Sequence, residues 1–122
     1  MPRILIIDDD ESFRLTLQEI LERKNYTVIT AVNGAEGIQI YRENPADLVI
    51  TDIIMPIKGG IRVIMDLKKE FPGVKIIAIS GGGLGTADEY LEVVRILNVG
   101  ATLKKPFSNA ELLEMVYKMV GE

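Results

Sequence analysis

The chain has 122 residues, with 14 Lys and Arg against 18 Asp and Glu, and it contains no His, Cys or Trp. This length suits one domain with a real core, and the missing His and Cys exclude imidazole bases, thiolate nucleophiles, thiolate zinc sites and disulfides on this chain. The formal net charge of −4 argues against direct nucleic-acid binding, because no basic face is available to displace counterions. We expect a single domain over residues 1–122, located in the cytoplasm and without membrane insertion, since every apolar run is too short to span a bilayer.

Five short runs of aliphatic and β-branched residues predict β-strands. Three of them are continuous rather than alternating between apolar and polar residues, which is typical of strands covered on both faces in a parallel sheet. The second run lies among threonines, as expected of an edge strand, and the fifth is the weakest. The runs are residues 4–7, 28–29, 48–50, 74–79 and 102–103.

Amphipathic stretches between and after these runs predict helices. The second begins after Asn33, a suitable N-cap, and the third ends at the Phe-Pro-Gly sequence of residues 71–73. The last two begin at capping-box sequences that open with Thr86 and Ser108. The first has the i, i+4, i+7, i+8 spacing of one helix face, formed by Phe13, Leu17, Ile20 and Leu21.

This alternation of strand and helix, repeated five times, indicates a parallel sheet with helices on both faces. Right-handed crossovers leave few topologies for such a sheet. We therefore predict an α/β fold, a flavodoxin-like doubly wound (βα)5 three-layer sandwich, with a five-stranded parallel sheet in the order 2-1-3-4-5. In this order the first and third strands are neighbours at a switch point, and ligands bind there beyond the carboxyl ends of the strands.

Polar residues follow the strands at this predicted edge of the sheet. Because the carboxyl ends of parallel strands meet at one edge, we expect these side chains to lie close together. They are Asp8, Asp9 and Asp10 after the first strand, Asp52 after the third, Ser80 after the fourth and Lys105 after the fifth.

Three crowded carboxylates, those of Asp8, Asp9 and Asp52, repel one another, so at least one pKa should rise unless a cation is bound. Mg²⁺ with several retained waters is the best fit to such an oxygen-rich site. Lys105 adds an ammonium group and Ser80 a hydroxyl. Together these groups are what phosphoryl transfer to an aspartate requires, namely a carboxylate nucleophile and charges that neutralise the phosphoryl oxygens.

Each of these residues also has an ordinary structural interpretation. For Asp10 a helix N-cap is the better explanation, and Asp52 is as often a turn former as a functional group. Ser80 alone would be a loop hydroxyl, and Lys105 alone would be a solvated turn residue. Their joint occurrence, each at its own strand end, favours the functional interpretation.

These motifs resemble the receiver domains of two-component response regulators, and the resemblance covers essentially all 122 residues. Residues 4–10 are similar to the first strand and acidic cluster of that family. Residues 48–56, with Gly60 four positions on, resemble its phosphoacceptor segment. Residues 76–81 resemble the segment with the switch hydroxyl, and residues 104–107 resemble the lysine-proline motif.

The resemblance implies that Asp52 accepts a phosphoryl group in the presence of Mg²⁺ or Mn²⁺. Asp9 and Asp52 would bind the metal directly, together with the main-chain carbonyl of Ile54, and Asp8 would act through a water. The phosphoryl donor would be a phosphohistidine on a sensor histidine kinase or a histidine phosphotransfer protein. The chain would then be a signalling switch rather than an enzyme, apart from its own phosphorylation and slow aspartyl-phosphate hydrolysis.

The resemblance also implies how the switch would be read. Lys105 would pair with Asp52 at rest and with the phosphoryl group afterwards, while Ser80 would hydrogen-bond a phosphoryl oxygen. Thr102 stands where many relatives have Tyr or Phe, so this sequence does not support a readout by the movement of that ring.

The two helices predicted over residues 86–97 and 108–120 have apolar arcs of about 220°, wider than one sheet face requires. Deep burial against neighbouring helices is one explanation, and contact with a downstream protein or a second copy is the other. The second agrees with the usual output surface of the family. It predicts that some of four side chains are exposed: Val93, Ile96, Met115 and Met119.

Two other functional classes fit the sequence less well. A small flavodoxin-like cofactor-binding protein needs a phosphate loop after the first strand, where this chain has carboxylates that would repel phosphate. The chain also lacks the GxxxxGK[ST] motif of nucleotide hydrolases. A degenerate receiver that acts only as an interaction module is disfavoured, because no acidic, hydroxyl or lysine position has been lost.

Overall fold

The computed structural model describes residues 1–53, 59–81 and 100–121. Within these residues five parallel strands form one sheet in the order β2-β1-β3-β4-β5, which confirms the predicted fold and strand order. The strands are β1 (Arg3–Ile7), β2 (Thr27–Ala31), β3 (Leu48–Asp52), β4 (Ile76–Gly81) and β5 (Ala101–Lys105). The helices in the same residues are α1 (Glu11–Glu22), α2 (Gly34–Glu43), α3 (Gly60–Glu70) and a C-terminal helix (Asn109–Val120). The helix predicted over 86–97, with its capping box at Thr86, lies outside the described residues.

Side-chain caps fix where three of these helices begin. The Asp10 carboxylate accepts the Phe13 N–H at 3.2 Å, so the N-cap interpretation of Asp10 is confirmed. Asn33 caps α2 in the same way. Ser108 and Glu111 form the predicted capping box at the start of the C-terminal helix. Each cap satisfies N–H groups that have no partner within the helix.

The hydrophobic core lies on both faces of the sheet, because successive residues of a buried strand point to opposite sides. One face packs against α2 and α3 through Leu5, Ile7, Val49, Ile76, Ala78, Ile38, Val63, Ile64 and Leu67. The other packs against α1 and the C-terminal helix through Ile4, Ile6, Leu48, Ile50, Ile77, Ile79, Leu17, Leu21, Leu112 and Val116.

The amino end of the sheet holds the last turn of the C-terminal helix. Lys75, just before β4, donates a hydrogen bond from Nζ to the main-chain carbonyl of Met119 at 3.0 Å. The terminal methyl of Met119 occupies the space that a side chain on Gly100, just before β5, would need. The opposite, carboxyl edge of the sheet is where the predicted site residues lie.

None of the helices in the described ranges combines the length and apolar character needed to cross a bilayer.

Candidate functional site

Three polar side chains predicted for the site are buried at the carboxyl edge of the sheet. Asp8 follows β1, Asp52 ends β3 and Ser80 lies near the end of β4; their exposed fractions are 1%, 8% and 0%. Burial of polar groups at one edge of an otherwise apolar sheet is costly unless they are paired or functional. The parallel register places β3 and β4 side by side here, with Asp52 opposite Ile79.

Lys105, the last residue of β5, reaches across this edge to Asp52. Its Nζ lies 3.1 Å from Asp52 Oδ2, and the side chain of Lys105 is 28% exposed. The ammonium is therefore positioned beside one oxygen of the Asp52 carboxylate. Such a charge can neutralise negative charge that develops at this carboxylate.

The environment of Asp8 is unfavourable for a negative charge. Burial raises the pKa of its carboxyl from 3.8 to about 6; the charges of Asp52 and Asp9 add to the rise, while the Asp10 N–H and Lys105 oppose it. Asp8 Oδ1 accepts that N–H at 2.9 Å. In the part of the chain that the structure describes, Asp8 Oδ2 is buried without a hydrogen-bond partner. A rise in pKa was predicted from crowded carboxylates, but loss of solvent is its largest cause.

The other two predicted metal ligands are Asp9 and Ile54. Asp9 is exposed to solvent, and Ile54 lies outside the described residues. Across residues 1–53, 59–81 and 100–121, no group of three or more His, Cys, Asp or Glu side chains is arranged to hold a metal ion. The acidic residues that the structure buries together are thus Asp8 and Asp52, with Asp9 close enough for its charge to act on Asp8.

The Ser80 hydroxyl is a second buried polar group without a visible purpose in packing. Its Oγ makes no hydrogen bond to any described residue. A buried hydroxyl normally has a partner, since leaving it without one costs about 1–3 kcal/mol. Ser80 therefore carries a buried hydroxyl that the described residues leave without a hydrogen bond.

Two residues at this edge were not predicted to act at the site. The sequence places Phe13 only on the apolar face of the first helix and Gly60 only within the motif of residues 48–60. The ring of Phe13, on the first turn of α1, lies 3.9 Å from Lys105 Nζ, measured to the ring centroid. Gly60, at the start of α3, donates its N–H to the Ile53 carbonyl at 2.8 Å, and a Cβ there would overlap the carbonyl oxygen of Asp52. Helical spacing predicts that Phe13 is a core residue and gives no sign of its contact with Lys105.

The predicted output surface is described only in its C-terminal half. Met115 and Met119 are half-buried, whereas Val93 and Ile96 lie outside the described residues. Tyr117 on the C-terminal helix is 60% exposed. The helix thus presents one large aromatic side chain to solvent while Leu112 and Val116 are buried under it.

Residues 4–117 match the model of the response regulator receiver domain family. The chain is 33% identical to Protein CcdB of Bacillus subtilis over 99% of both chains. It is also 33% identical to the chemotaxis protein CheY of Thermotoga maritima over 96% of both chains. A crystal structure of a response regulator receiver domain protein from Clostridium thermocellum has a TM-score of 0.91 to it, with 27% identity over 99% of this chain and 95% of that one. The sequence match and the shared sheet order show that the chain belongs to the receiver domains of two-component response regulators and is similar to their chemotaxis members.

Proposed function

We propose that this chain is a phosphorylation-activated switch, a single receiver domain over residues 1–122 in which Asp52 accepts a phosphoryl group. The observation that supports this most directly is the Lys105 ammonium 3.1 Å from the Asp52 carboxylate at a buried sheet edge. The buried Ser80 hydroxyl supports it further, because it makes no hydrogen bond within the described residues. Membership of the receiver family supplies the reaction class.

In the proposed reaction an Asp52 carboxylate oxygen attacks the phosphorus of a phosphohistidine on a sensor kinase or a phosphotransfer protein. A bond forms between that oxygen and phosphorus, and the bond from phosphorus to the imidazole nitrogen breaks. The departing imidazole keeps the electron pair. Lys105 and Ser80 would then face the oxygens of the new phosphoryl group, where their positive charge and hydroxyl donor stabilise it. Later attack by water on phosphorus releases phosphate and restores the Asp52 carboxylate.

The residues at the edge fit a divalent cation in their chemistry. Mg²⁺ prefers oxygen ligands, keeps several waters and needs only one or two carboxylates from the protein. Asp8 Oδ2 is a buried acceptor with no partner among the described residues, and the carboxyl's raised pKa reflects a charge without sufficient compensation. Asp8, Asp9, Asp52 and the main-chain carbonyl of Ile54 would hold the ion. When bound, Mg²⁺ or Mn²⁺ would neutralise charge on the phosphoryl oxygens.

The proposed output is a protein contact rather than direct nucleic-acid binding. We place it on the helices of residues 86–97 and 108–120, where a downstream protein or a second copy of the chain would bind. The exposed ring of Tyr117 supports this for the described helix. Aromatic side chains are enriched at protein interfaces.

The test of the proposed function is covalent labelling of Asp52. With Mg²⁺ and acetyl phosphate, the wild type should gain the mass of one phosphoryl group, and Asp52→Asn should gain none, because the amide is not a nucleophile of this kind. Intact-protein mass spectrometry measures both. Asp47→Asn is the matched control, since Asp47 is exposed at the opposite end of β3 and its Oδ2 accepts the Arg3 N–H. Labelling of Asp52→Asn at the wild-type level would place the acceptor elsewhere, and an unlabelled wild type would favour a pure interaction module.

A further inference from the structure

Among the described residues, the Lys105 ammonium contacts both a carboxylate and an aromatic ring. It lies 3.1 Å from Asp52 Oδ2 and 3.9 Å from the centroid of the Phe13 ring. A cation within about 6 Å of a ring centroid is attracted by the negative face of the ring. The ring and the carboxylate therefore both hold the same ammonium at the end of a long side chain.

The backbone that carries Phe13 is held by hydrogen bonds to two neighbouring aspartates. Asp8 Oδ1 accepts the Asp10 N–H at 2.9 Å, and Asp10 Oδ1 accepts the Phe13 N–H at 3.2 Å. These two hydrogen bonds set the start of α1 against the end of β1. Phe13, in the first turn of α1, is thus tied through its backbone N–H to the turn that carries the buried Asp8 carboxylate.

A second aromatic side chain packs against the Phe13 ring. Phe107, two residues after Lys105, packs edge to face against Phe13 with 6.1 Å between centroids and 82° between planes. Such pairs stabilise by more than the area that they bury. The groove between α1 and the start of the C-terminal helix has a volume of about 290 Å³, and it is lined by Phe13, Leu17, Ile20, Lys105, Pro106 and Phe107 among others.

An ion pair alone would hold Lys105 loosely. Its side chain is 28% exposed, and partly exposed pairs gain little because water screens them and long side chains lose rotamer freedom. The contact with the ring restricts the same rotamers and adds an attraction that does not compete with the carboxylate. Two weak restraints on one ammonium keep it near Asp52 more often than either would alone.

We propose that Phe13 is a positioning residue for phosphoryl uptake, because its ring holds the Lys105 ammonium beside Asp52. This inference rests on the proposed roles of Asp52 and Lys105. Without the ring, the ammonium spends less time at the acceptor and the phosphorylation rate falls. From the usual strength of such contacts we expect a decrease of roughly 2- to 5-fold.

The test compares Phe13→Leu with Phe13→Tyr. Leucine keeps an apolar side chain in the groove but has no ring face, whereas tyrosine keeps the face. The initial rate of labelling by acetyl phosphate at saturating Mg²⁺ should fall severalfold in Phe13→Leu and return to near the wild-type rate in Phe13→Tyr. Ile20→Val is the control, since Ile20 lines the same groove and lies outside the proposed machinery; its rate should not change.

A spectroscopic readout separates positioning from general packing. The ring current should shift the ε-methylene protons of Lys105 upfield in the wild type and in Phe13→Tyr, and the shift should disappear in Phe13→Leu. NMR of lysine-labelled protein measures it, with Lys105→Arg to assign the signal. Phe13→Met replaces the leucine variant should that one not fold, and the same losses are expected.

The outcomes are distinguishable from failure of the proposed function. Equal rates for Phe13→Leu and wild type, or a slow rate in Phe13→Tyr as well, would overturn the inference, as would a wild type without the Lys105 ring-current shift. A wild type that takes no label would overturn the proposed function instead. In that case the NMR comparison still decides whether Phe13 holds Lys105.

Discussion

The buried carboxyl of Asp8 makes the stability of the protein depend on pH. Its pKa is about 6 in the folded chain, against 3.8 for the ordinary group, mainly because of burial. Between these two pH values the folded state binds the proton more tightly than the unfolded state does. The free energy of unfolding therefore decreases as pH rises through this range and stays reduced above it.

We predict that Asp8→Asn removes this dependence in metal-free buffer. A shift of that size corresponds to about 3 kcal/mol. The stability of the variant relative to wild type should therefore rise by up to that amount between about pH 4 and pH 7. Urea denaturation in the presence of a chelator measures the difference at each pH. A difference that stays constant across the range would mean that Asp8 is not the titrating group.

At the scale of single residues, the sequence predicts which residues lie at the site better than it predicts their burial and contacts. The sequence predicts Asp10 as the N-cap of α1, but it does not say which of Asp8 and Asp9 is buried; the structure buries Asp8 and exposes Asp9. Asp8 also accepts the Asp10 N–H, a contact that the run of aspartates does not predict. The contact of Phe13 with Lys105 joins two segments far apart in the chain, so local spacing could not predict it.

The packing at the start of α3 depends on Gly60 having no side chain. A Cβ on Gly60 would overlap the Asp52 carbonyl oxygen and come within 2.8 Å of the Asp52 carbonyl carbon. The helix thus begins directly against the backbone of the proposed phosphoacceptor, and only glycine permits that distance.

We predict that Gly60→Ala lowers the free energy of unfolding by about 1–3 kcal/mol, because main-chain atoms must move apart. It should also slow labelling of Asp52, since the acceptor backbone moves. Gly73→Ala is the matched control: a Cβ there meets nothing within 4 Å, and its effect should be within about 0.5 kcal/mol. Chemical denaturation checks both variants. Equal stability of Gly60→Ala and Gly73→Ala would contradict the predicted overlap.

Strong local sequence patterns were sufficient to predict where strands and helices lie, whereas the bounds of a strand with a weak pattern depend on its pairing with neighbouring strands. The apolar run at 4–7 predicts the core of β1, and the Phe-Pro-Gly sequence predicts the end of α3 at Glu70. The weak signal at 102–103 predicts only part of β5 (Ala101–Lys105). The rest of that strand is set by pairing with β4, in which Ser80 lies opposite Lys104, and pairing can override local propensity.

The whole molecule has two chemically different ends, because all the described strands run in the same direction. Asp8 and Asp52 lie at the carboxyl edge, whereas Asp47 lies just before β3 at the opposite edge, where its Oδ2 accepts the Arg3 N–H. This arrangement predicts that a divalent cation binds to the acidic residues at the carboxyl edge and not to Asp47 at the opposite edge.

We predict that Mg²⁺ stabilises the wild type and Asp47→Asn equally, and stabilises Asp8→Asn and Asp52→Asn much less. A ligand that binds only the folded state at a hundredfold excess over its Kd adds about 2.7 kcal/mol. Thermal melts across a Mg²⁺ titration measure this. Equal stabilisation of all four proteins would place the ion away from the carboxyl edge.

The attachment of Met119 has a mechanical consequence for the molecule as a whole. Lys75 donates a hydrogen bond to the main-chain carbonyl of Met119, and the side chain of Met119 fills the space beside Gly100. The last turn of the C-terminal helix is therefore held by two contacts. Its first turn follows closely after Lys105 along the chain. We therefore expect a displacement of Lys105 to move the first turn of the helix more than its last turn, because the last turn is held at Met119.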